Sequence, residues 1–366
     1  MSEGAHSLVG VFGAGQLGRM LALAGYPLGL RFLFVDPSEG SPASACAEQL
    51  ALDYGDEQAL TRLSSCDVVT YEFENVPVDA VRRLAGRVPC FPPPRALEVA
   101  QDRLAEKTCF QELAIETPKF AAVSTRAELD AAVAAIGLPS VLKTRRFGYD
   151  GKGQEVLRTA EDVDRAWQTL GQSALILEAF VPFDRELSLV AARARSGQTV
   201  FYPLVQNRHG DGILRETRAP APNLTPELQA LAESYVTRLL GELDYVGVLA
   251  LELFQVGGKL LANEFAPRVH NSGHWTIEGA VTSQFENHLR AVLGLPLGPA
   301  AALGPAAMLN LIGQSVDAEA VLAVPDAHLH WYGKEPRPGR KVGHITVRAP
   351  DWATLDERLT LLAKLL

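Results

Sequence analysis

Residues 8–18, Leu8-Val9-Gly10-Val11-Phe12-Gly13-Ala14-Gly15-Gln16-Leu17-Gly18, read as an apolar run that breaks into G-x-G-x-x-G. A second apolar run, Leu33-Phe34-Val35, ends in Asp36, eighteen residues past the last glycine. Strand, glycine turn, helix, strand and acid in that order form the fingerprint of a dinucleotide-binding βαβ unit. There the glycines let a phosphate approach the helix N-terminus, and the acid takes a ribose hydroxyl. The stretch sets the fold class of the first part of the chain, a Rossmann-like parallel sheet. The ligand it leaves open.

Outward from it, the alternation of apolar runs and helical stretches continues to residue 91. Strands are expected at Leu8–Phe12, Phe32–Val35, Val68–Tyr71 and Val88–Phe91, with helices starting at Leu17 and Asp56. Pro92-Pro93-Pro94 is a stiff break, so the first domain is taken as residues 1–95. A linker helix with Leu97, Ala100, Leu104 and Ala105 on its apolar face follows. It leads into a small unit reading strand, helix, strand, glycine loop, strand, helix, strand, which closes a second domain at 96–180. Residues 181–300 carry longer, antiparallel-type strands at Leu187–Arg193, Thr199–Val205, Val248–Phe254 and Lys259–Phe265, interrupted by a helix at Pro226–Leu243. Residues 301–366 form a mixed piece ending in the amphipathic helix Asp351–Leu366. The fold class is α/β and α+β.

With 47% hydrophobic and 21% charged residues, the chain can bury a large core. A net charge of −9 argues against a nucleic-acid binder but not against an anionic small substrate, which needs only a local cationic cluster. Cys46, Cys66, Cys90 and Cys109 show no C-x-x-C and read as reduced thiols. Met1–Ser7 has no basic-then-apolar leader pattern, and the uncharged run 291–309 is interrupted by Pro296, Pro299 and Pro305. The expectation is a cytoplasmic protein with no membrane partner.

Four stretches carry chemistry. In Ser140–Gln154, SVLKTRRFGYDGKGQ, Lys143 closes an apolar strand and Gly148, Gly151 and Gly153 follow in a loop with further cations. Glycines let backbone amides reach phosphate oxygens and the lysine adds charge to the same anion; the plainer reading is a hairpin turn with an exposed lysine. Leu175–Pro182 runs an apolar strand into Glu178, offering backbone to an adenine edge, and Glu186 beyond it can accept from ribose hydroxyls. Leu249–Phe254 and Leu260–Phe265 flank Gly257-Gly258; a three-residue loop at 257–259 places Glu252 opposite Glu264. Two facing carboxylates repel unless a cation lies between them, and oxygen-only ligands select Mg²⁺ or Mn²⁺ shared with substrate phosphates. A two-residue loop would instead send the two glutamates to opposite faces. Arg268, His270, Asn271 and His274 follow directly, a dense group of donors suited to an anion. Finally Trp331–His344 sets Lys334, Arg337, Arg340 and Lys341 on a Pro/Gly-stiffened loop, either a phosphate clamp or a solvated basic loop.

In this order the blocks GAGQLGRM, TYEFENVP, QDRLAEK, KTRRFGYDGKGQ, LEAFVPFDRELS, NEFAPRVHNSGH and YGKEPRPGRKVGH resemble the ATP-grasp superfamily. Within it they are most similar to the 5-(carboxyamino)imidazole ribonucleotide synthetases of purine biosynthesis, over nearly the whole chain. The resemblance implies a two-part ATP-grasp fold after the Rossmann-like domain, with a glycine-rich lid in the second domain and a metal site in the third. It implies a reaction in which ATP, bicarbonate and 5-aminoimidazole ribonucleotide give the carbamate, ADP and phosphate through carboxyphosphate. ATP contacts then fall on Arg103, Lys143, the loop Gly148, Tyr149, Asp150, Gly151, Lys152, Gly153 and Gln154, on Glu178, Ala179, Phe180 and Val181, and on Glu186, His209, Asn263 and Glu264. Magnesium falls on Glu252 and Glu264, and Tyr149, Asp150, Lys152, Arg268 and His270 surround the bicarbonate and the reacting amine. The ribonucleotide phosphate meets Lys334 and Arg340, with Asn271 nearby and Gln16 and Glu74 reaching in from the first domain. The resemblance also implies a homodimer. One departure is Gly13-Ala14-Gly15, where the family usually carries three consecutive glycines. A formate-dependent glycinamide ribonucleotide transformylase shares the layout and is the main alternative. An NAD-dependent dehydrogenase would use the opening fingerprint but leave the Glu252/Glu264 pair without a role, and a non-catalytic nucleotide-binding module would not need both carboxylates.

Overall fold

The computed structural model describes residues 7–148 and 152–366; Tyr149, Asp150 and Gly151 lie outside them. The opening stretch forms β1 (Leu8–Phe12), the glycine turn and α1 (Gln16–Gly25). With β2 (Arg31–Val35), β3 (Glu48–Leu50) and β4 (Val68–Tyr71) it builds a parallel sheet in the order β3-β2-β1-β4. Helices α2 (Glu57–Leu63) and α3 (Val78–Ala85) cover one face. The strand expected at Val88–Phe91 is reduced to a bridge from Cys90 to Val69, because Pro89 lacks an N–H and Pro92 ends the run. The short β3 was not anticipated.

The linker is two helices rather than one, α4 (Pro94–Ala100) and α5 (Arg103–Glu112). The break lies at Asp102, whose carboxylate accepts from the amides of Leu104 and Ala105 and so starts a new helix. The small subdomain then follows the expected order: β5 (Phe120–Val123), α6 (Arg126–Ile136), β6 (Ser140–Thr144), β7 (Gln154–Leu157), α7 (Ala160–Leu170) and β8 (Leu175–Ala179). Its sheet, β5-β8-β6-β7, is antiparallel, and β6 and β7 form a hairpin whose tip is the glycine loop.

The second large element is a nine-stranded sheet. Its strands are β9 (Arg185–Arg193), β10 (Thr199–Phe201), β11 (Val205–Gly210), β12 (Ile213–Ala219), β13 (Gly247–Val256), β14 (Lys259–Ala266), β15 (Ala306–Ile312), β16 (Ala327–Trp331) and β17 (Lys341–Arg348). They run in the order β14-β13-β9-β11-β12-β15-β17-β16, with β10 on β9. The strand expected at Thr199–Val205 splits at Pro203, and β12 was missed because its alternation is filled with Arg, Glu and Thr. One face of the sheet packs against α4, α5 and α8 (Pro226–Glu242). The other packs against α9 (Thr276–Gly279), α10 (Gln284–Leu293) and, through α10, the first domain's α1, in one continuous core. Residues beyond 306 have a core of their own, but their strands join the large sheet. β15 pairs with β12, so the tail extends the large sheet, with α11 (Ala318–Leu322) and α12 (Trp352–Ala363) beside it. The cleft lies where the parallel sheet, the small subdomain and the large sheet meet.

Candidate active site

The hairpin of β13 and β14 supplies one wall. Its turn has two residues, not three: Val256 pairs with Lys259 across Gly257-Gly258, and Gly257 takes φ +58°. With that turn alone, Glu252 would face Asn263. A bulge between Glu252 and Leu253 shifts the ladder by one residue, so that Leu253 pairs with Ala262 but Glu252 with Glu264. Asn263 is the extra residue. The opposed carboxylates are thus present, produced by a bulge rather than by loop length, and both line the cleft. His270 Nε2 lies 3.1 Å from Glu252 Oε1, while its Nδ1 meets Ser272 Oγ at 2.8 Å. Burial alone would raise the Glu252 carboxyl, but His270, His209 and Lys341 bring it down to about 2. Among the described residues no third His, Cys, Asp or Glu completes a protein-only metal cage. Two ionised oxygen ligands facing a cleft suit a hard divalent cation that draws its remaining ligands from phosphates and water.

Lys143, at the end of β6, donates to Glu178 Oε2 at 3.1 Å. The same oxygen lies 3.4 Å from the Lys107 ammonium of α5. Glu178 is almost fully buried; desolvation would raise its carboxyl, yet the ammonium groups of Lys107 and Lys143, with Arg103, hold it at about 2. Lys107 was not singled out from sequence, although it lies one helical turn after Arg103 in QDRLAEK. Glu186 Oε2 meets His209 Nδ1 at 2.8 Å; burial disfavours the imidazolium, but Glu186 outweighs it and raises the histidine.

The base of the glycine loop is tied to α5. Arg103 donates to Thr144 O at 3.1 Å and to Gly148 O at 3.4 Å, and Arg145 forms a bidentate pair with Asp102 at 2.9 and 2.6 Å. A Cβ on Gly148 would lie 2.7 Å from Arg103 Nη1, so a side chain there would displace the guanidinium. The loop is a hairpin turn and also a cleft wall, since Gly148, Lys152 and Gln154 all line the cavity.

Cations gather elsewhere in the same cleft. Lys334 donates to Gln16 Oε1 at 2.5 Å, Arg268 pairs with Glu74, and Asn271 exchanges hydrogen bonds with Asn310 at 2.7 and 3.1 Å. Arg337, Arg340 and Lys341 line it too, so the basic loop faces the cavity and not bulk solvent alone. Burial, then Arg340, draws the Lys334 ammonium below its ordinary value.

The opening fingerprint is occupied by the protein itself. Glu72, beyond β4, accepts from the Gly15 amide at 2.8 Å and the Gly18 amide at 3.1 Å. Asp36 accepts from the Ala14 amide at 3.0 Å and so braces the turn. The helix N-terminus that would hold a pyrophosphate already holds a carboxylate. The cleft, of about 1090 Å³, is lined by most of the residues singled out from sequence; Glu178, Ala179, Val181 and Gly153 do not line it, and Tyr149, Asp150 and Gly151 lie outside the described residues.

Family models match in three consecutive blocks: a ribonucleotide synthetase preATP-grasp domain over residues 7–101, an ATP-grasp domain over 108–285, and a phosphoribosylaminoimidazole carboxylase C-terminal domain over 306–358. The chain is 57% identical to the N5-carboxyaminoimidazole ribonucleotide synthase of Pseudomonas aeruginosa, covering 96% of this chain and 97% of that protein. It superposes on the crystal structure of the synthetase of that name from Thermus thermophilus with a TM-score of 0.95 at 58% identity, covering 98% of each chain. The Aspergillus clavatus enzyme, solved in complex with ADP and 5-aminoimidazole ribonucleotide, matches at a TM-score of 0.90 and 30% identity, covering 98% of this chain and 99% of that one. Fold and cleft are those of an ATP-grasp ligase. Within that class the chain belongs to the N5-carboxyaminoimidazole ribonucleotide synthase family.

Proposed function

We infer that the chain carboxylates the exocyclic amine of 5-aminoimidazole ribonucleotide with ATP and bicarbonate, releasing ADP and phosphate in purine biosynthesis. One observation supports this reading above the others. A single cleft contains the opposed Glu252/Glu264 pair together with Lys334, Arg337 and Arg340, so a nucleoside triphosphate and a sugar phosphate can share one space. Lys143 and Arg103 place positive charge where phosphates enter. Glu186, steadied by His209, accepts from ribose hydroxyls, and the adenine edge falls at Phe180, the residue of 179–181 that lines the cleft. Glu252 and Glu264 would hold a Mg²⁺ or Mn²⁺ ion, which would supply charge neutralisation at the phosphate oxygens.

A bicarbonate oxygen attacks the γ-phosphorus, the bond to the ADP oxygen breaks, and carboxyphosphate forms. The amine nitrogen then takes the carboxyl carbon, directly or as released CO₂, and inorganic phosphate leaves. Such transfers depend on positioning and charge neutralisation more than on covalent help. Arg268 and His270, with Tyr149, Asp150 and Lys152 of the glycine loop, surround bicarbonate and amine. Lys334 and Arg340 hold the ribonucleotide phosphate, and Gln16, Glu74 and Asn271 complete that end. Since carboxyphosphate hydrolyses in water, a glycine loop closing over it has a purpose. The protein acts as a cytoplasmic homodimer; no helix among the described residues is long and apolar enough to cross a membrane.

The test is ADP release in the presence of Mg²⁺. It is expected to require both bicarbonate and 5-aminoimidazole ribonucleotide, and formate with glycinamide ribonucleotide should not replace them. Equal ADP release without the ribonucleotide would overturn the substrate assignment.

A further inference from the structure

β14 is the outermost strand of the large sheet, so one side of its backbone has no partner strand among the described residues. That side is nevertheless occupied on both flanks of the bulge. The Phe265 amide donates to Glu106 Oε1 at 2.7 Å, and the Ala262 amide donates to Glu116 O at 2.7 Å. Between them, the carbonyls of Ala262 and Asn263 both accept from the Lys107 ammonium, at 3.2 and 2.6 Å. In a regular strand successive carbonyls point to opposite sides; two on one side mark the extra residue of a bulge. Glu106 and Lys107 are 2% and 1% exposed and follow one another on α5. Placing two ionisable side chains in the interior is costly unless their bonds are specific, and burial, then Glu264, pushes the Glu106 carboxyl well above its ordinary value. Here their side-chain bonds go to the backbone of Ala262, Asn263 and Phe265, on and beside the bulge, and one further contact goes from Lys107 to Glu178.

We propose that Glu106 and Lys107 are positioning residues for the carboxylate pair: they clamp the free edge of β14 and hold the bulge that sets Glu264 opposite Glu252. Without the clamp the hairpin can relax to the register its two-residue turn favours, in which Glu252 faces Asn263 and Glu264 leaves the cleft side. Lys107 also ties that register to Glu178 at the nucleotide end. The geometry stands independently of the metal reading given above; only the consequence for cation binding rests on it.

Amide hydrogen exchange and Mn²⁺ titration of the ADP-saturated protein, followed by electron paramagnetic resonance, test it separately. In the wild type the Phe265 amide is expected to be protected at least about a hundredfold despite its outer-edge position; free-chain exchange overturns the clamp without any variant. Glu106→Leu and Lys107→Met should speed exchange at Ala262 and Phe265 about tenfold or more and weaken Mn²⁺ binding about tenfold to a hundredfold. Metal-free ADP binding should change much less in Glu106→Leu than Mn²⁺ binding does. Glu106→Gln keeps an Oε1 acceptor and should restore both readouts. Wild-type exchange in Glu106→Leu and Lys107→Met, or no rescue by Glu106→Gln, overturns the proposal. If the wild type binds no Mn²⁺, the metal reading fails and the exchange data alone decide the clamp.

Discussion

Glu178 keeps its negative charge inside the protein because two ammonium groups, from Lys107 and Lys143, meet one of its oxygens. The pairing holds its carboxyl at about 2, below the ordinary value of about 4.3. A carboxyl depressed by folding stabilises the native state above its ordinary value, and that contribution is lost as pH falls toward about 2. Burial draws the Lys107 ammonium down and offsets part of the gain. Glu178→Gln should therefore cost roughly 3 kcal/mol in urea unfolding at pH 7, and the gap to wild type should close as pH is lowered from about 4 to about 2. Glu264 behaves differently. Its side chain is 46% exposed, and the like charge of Glu252 opposite it offsets a loose 3.9 Å pairing with the Arg103 guanidinium, so Glu264→Gln should leave the melting temperature nearly unchanged while turnover falls on the order of a hundredfold or more. Wild-type turnover in that variant would refute the metal site. Both glutamates were legible in sequence as acids ending or interrupting apolar runs. Lys107 was not singled out, because a lysine on an amphipathic helix reads as surface until the opposing strand is in place.

At the scale of elements, the glycine turn shows how one local motif can serve two ends. Strand, turn and helix formed as the residues dictate, but Glu72 from the neighbouring strand fills the phosphate position. Gly13 is needed for this: its φ is +93°, and a Cβ would lie 2.6 Å from Glu72 Oε1. Gly13→Ala should destabilise by about 1–3 kcal/mol in denaturant titration. Saturating NAD should leave the melting temperature unchanged, while Mg-ATP at about a hundred times its dissociation constant should raise it by roughly 5 °C. A comparable rise with NAD would show that Glu72 can be displaced. The β13–β14 hairpin teaches the converse. Turn length alone predicts the wrong pairing, and the bulge at Asn263, held by a helix far away in sequence, restores the right one.

At the scale of the molecule, the cleft exists because the parallel sheet is docked on the large sheet, and His288 of α10 is one of the pins. Its Nε2 lies 2.8 Å from Thr70 Oγ1 of β4, and its Nδ1 accepts from the Val248 amide of β13 at 3.1 Å. Accepting at Nδ1 requires the neutral ring, and burial pushes its pKa down to about 4. Below about 6.5 the unfolded chain takes up a proton that the native state refuses, so stability falls by about 1.4 kcal/mol per pH unit until about pH 4. His274 and His344, also buried and held well below their ordinary value by desolvation, add to the same trend. Urea unfolding at pH 7 and pH 5 should show that loss in the wild type and a smaller one in His288→Gln; an equal loss in both would exclude His288 as a contributor. By itself the sequence determined most of the strands and helices, the motifs and the chemical types in the cleft, because those follow from local periodicity, turn residues and neighbours along the chain. Only the tertiary structure decided which carboxylate faces which, that Glu72 and not a dinucleotide fills the glycine turn, and that the tail extends the large sheet. Those outcomes depend on register and on contacts between residues scores of positions apart, and such contacts leave no periodic trace in a single chain.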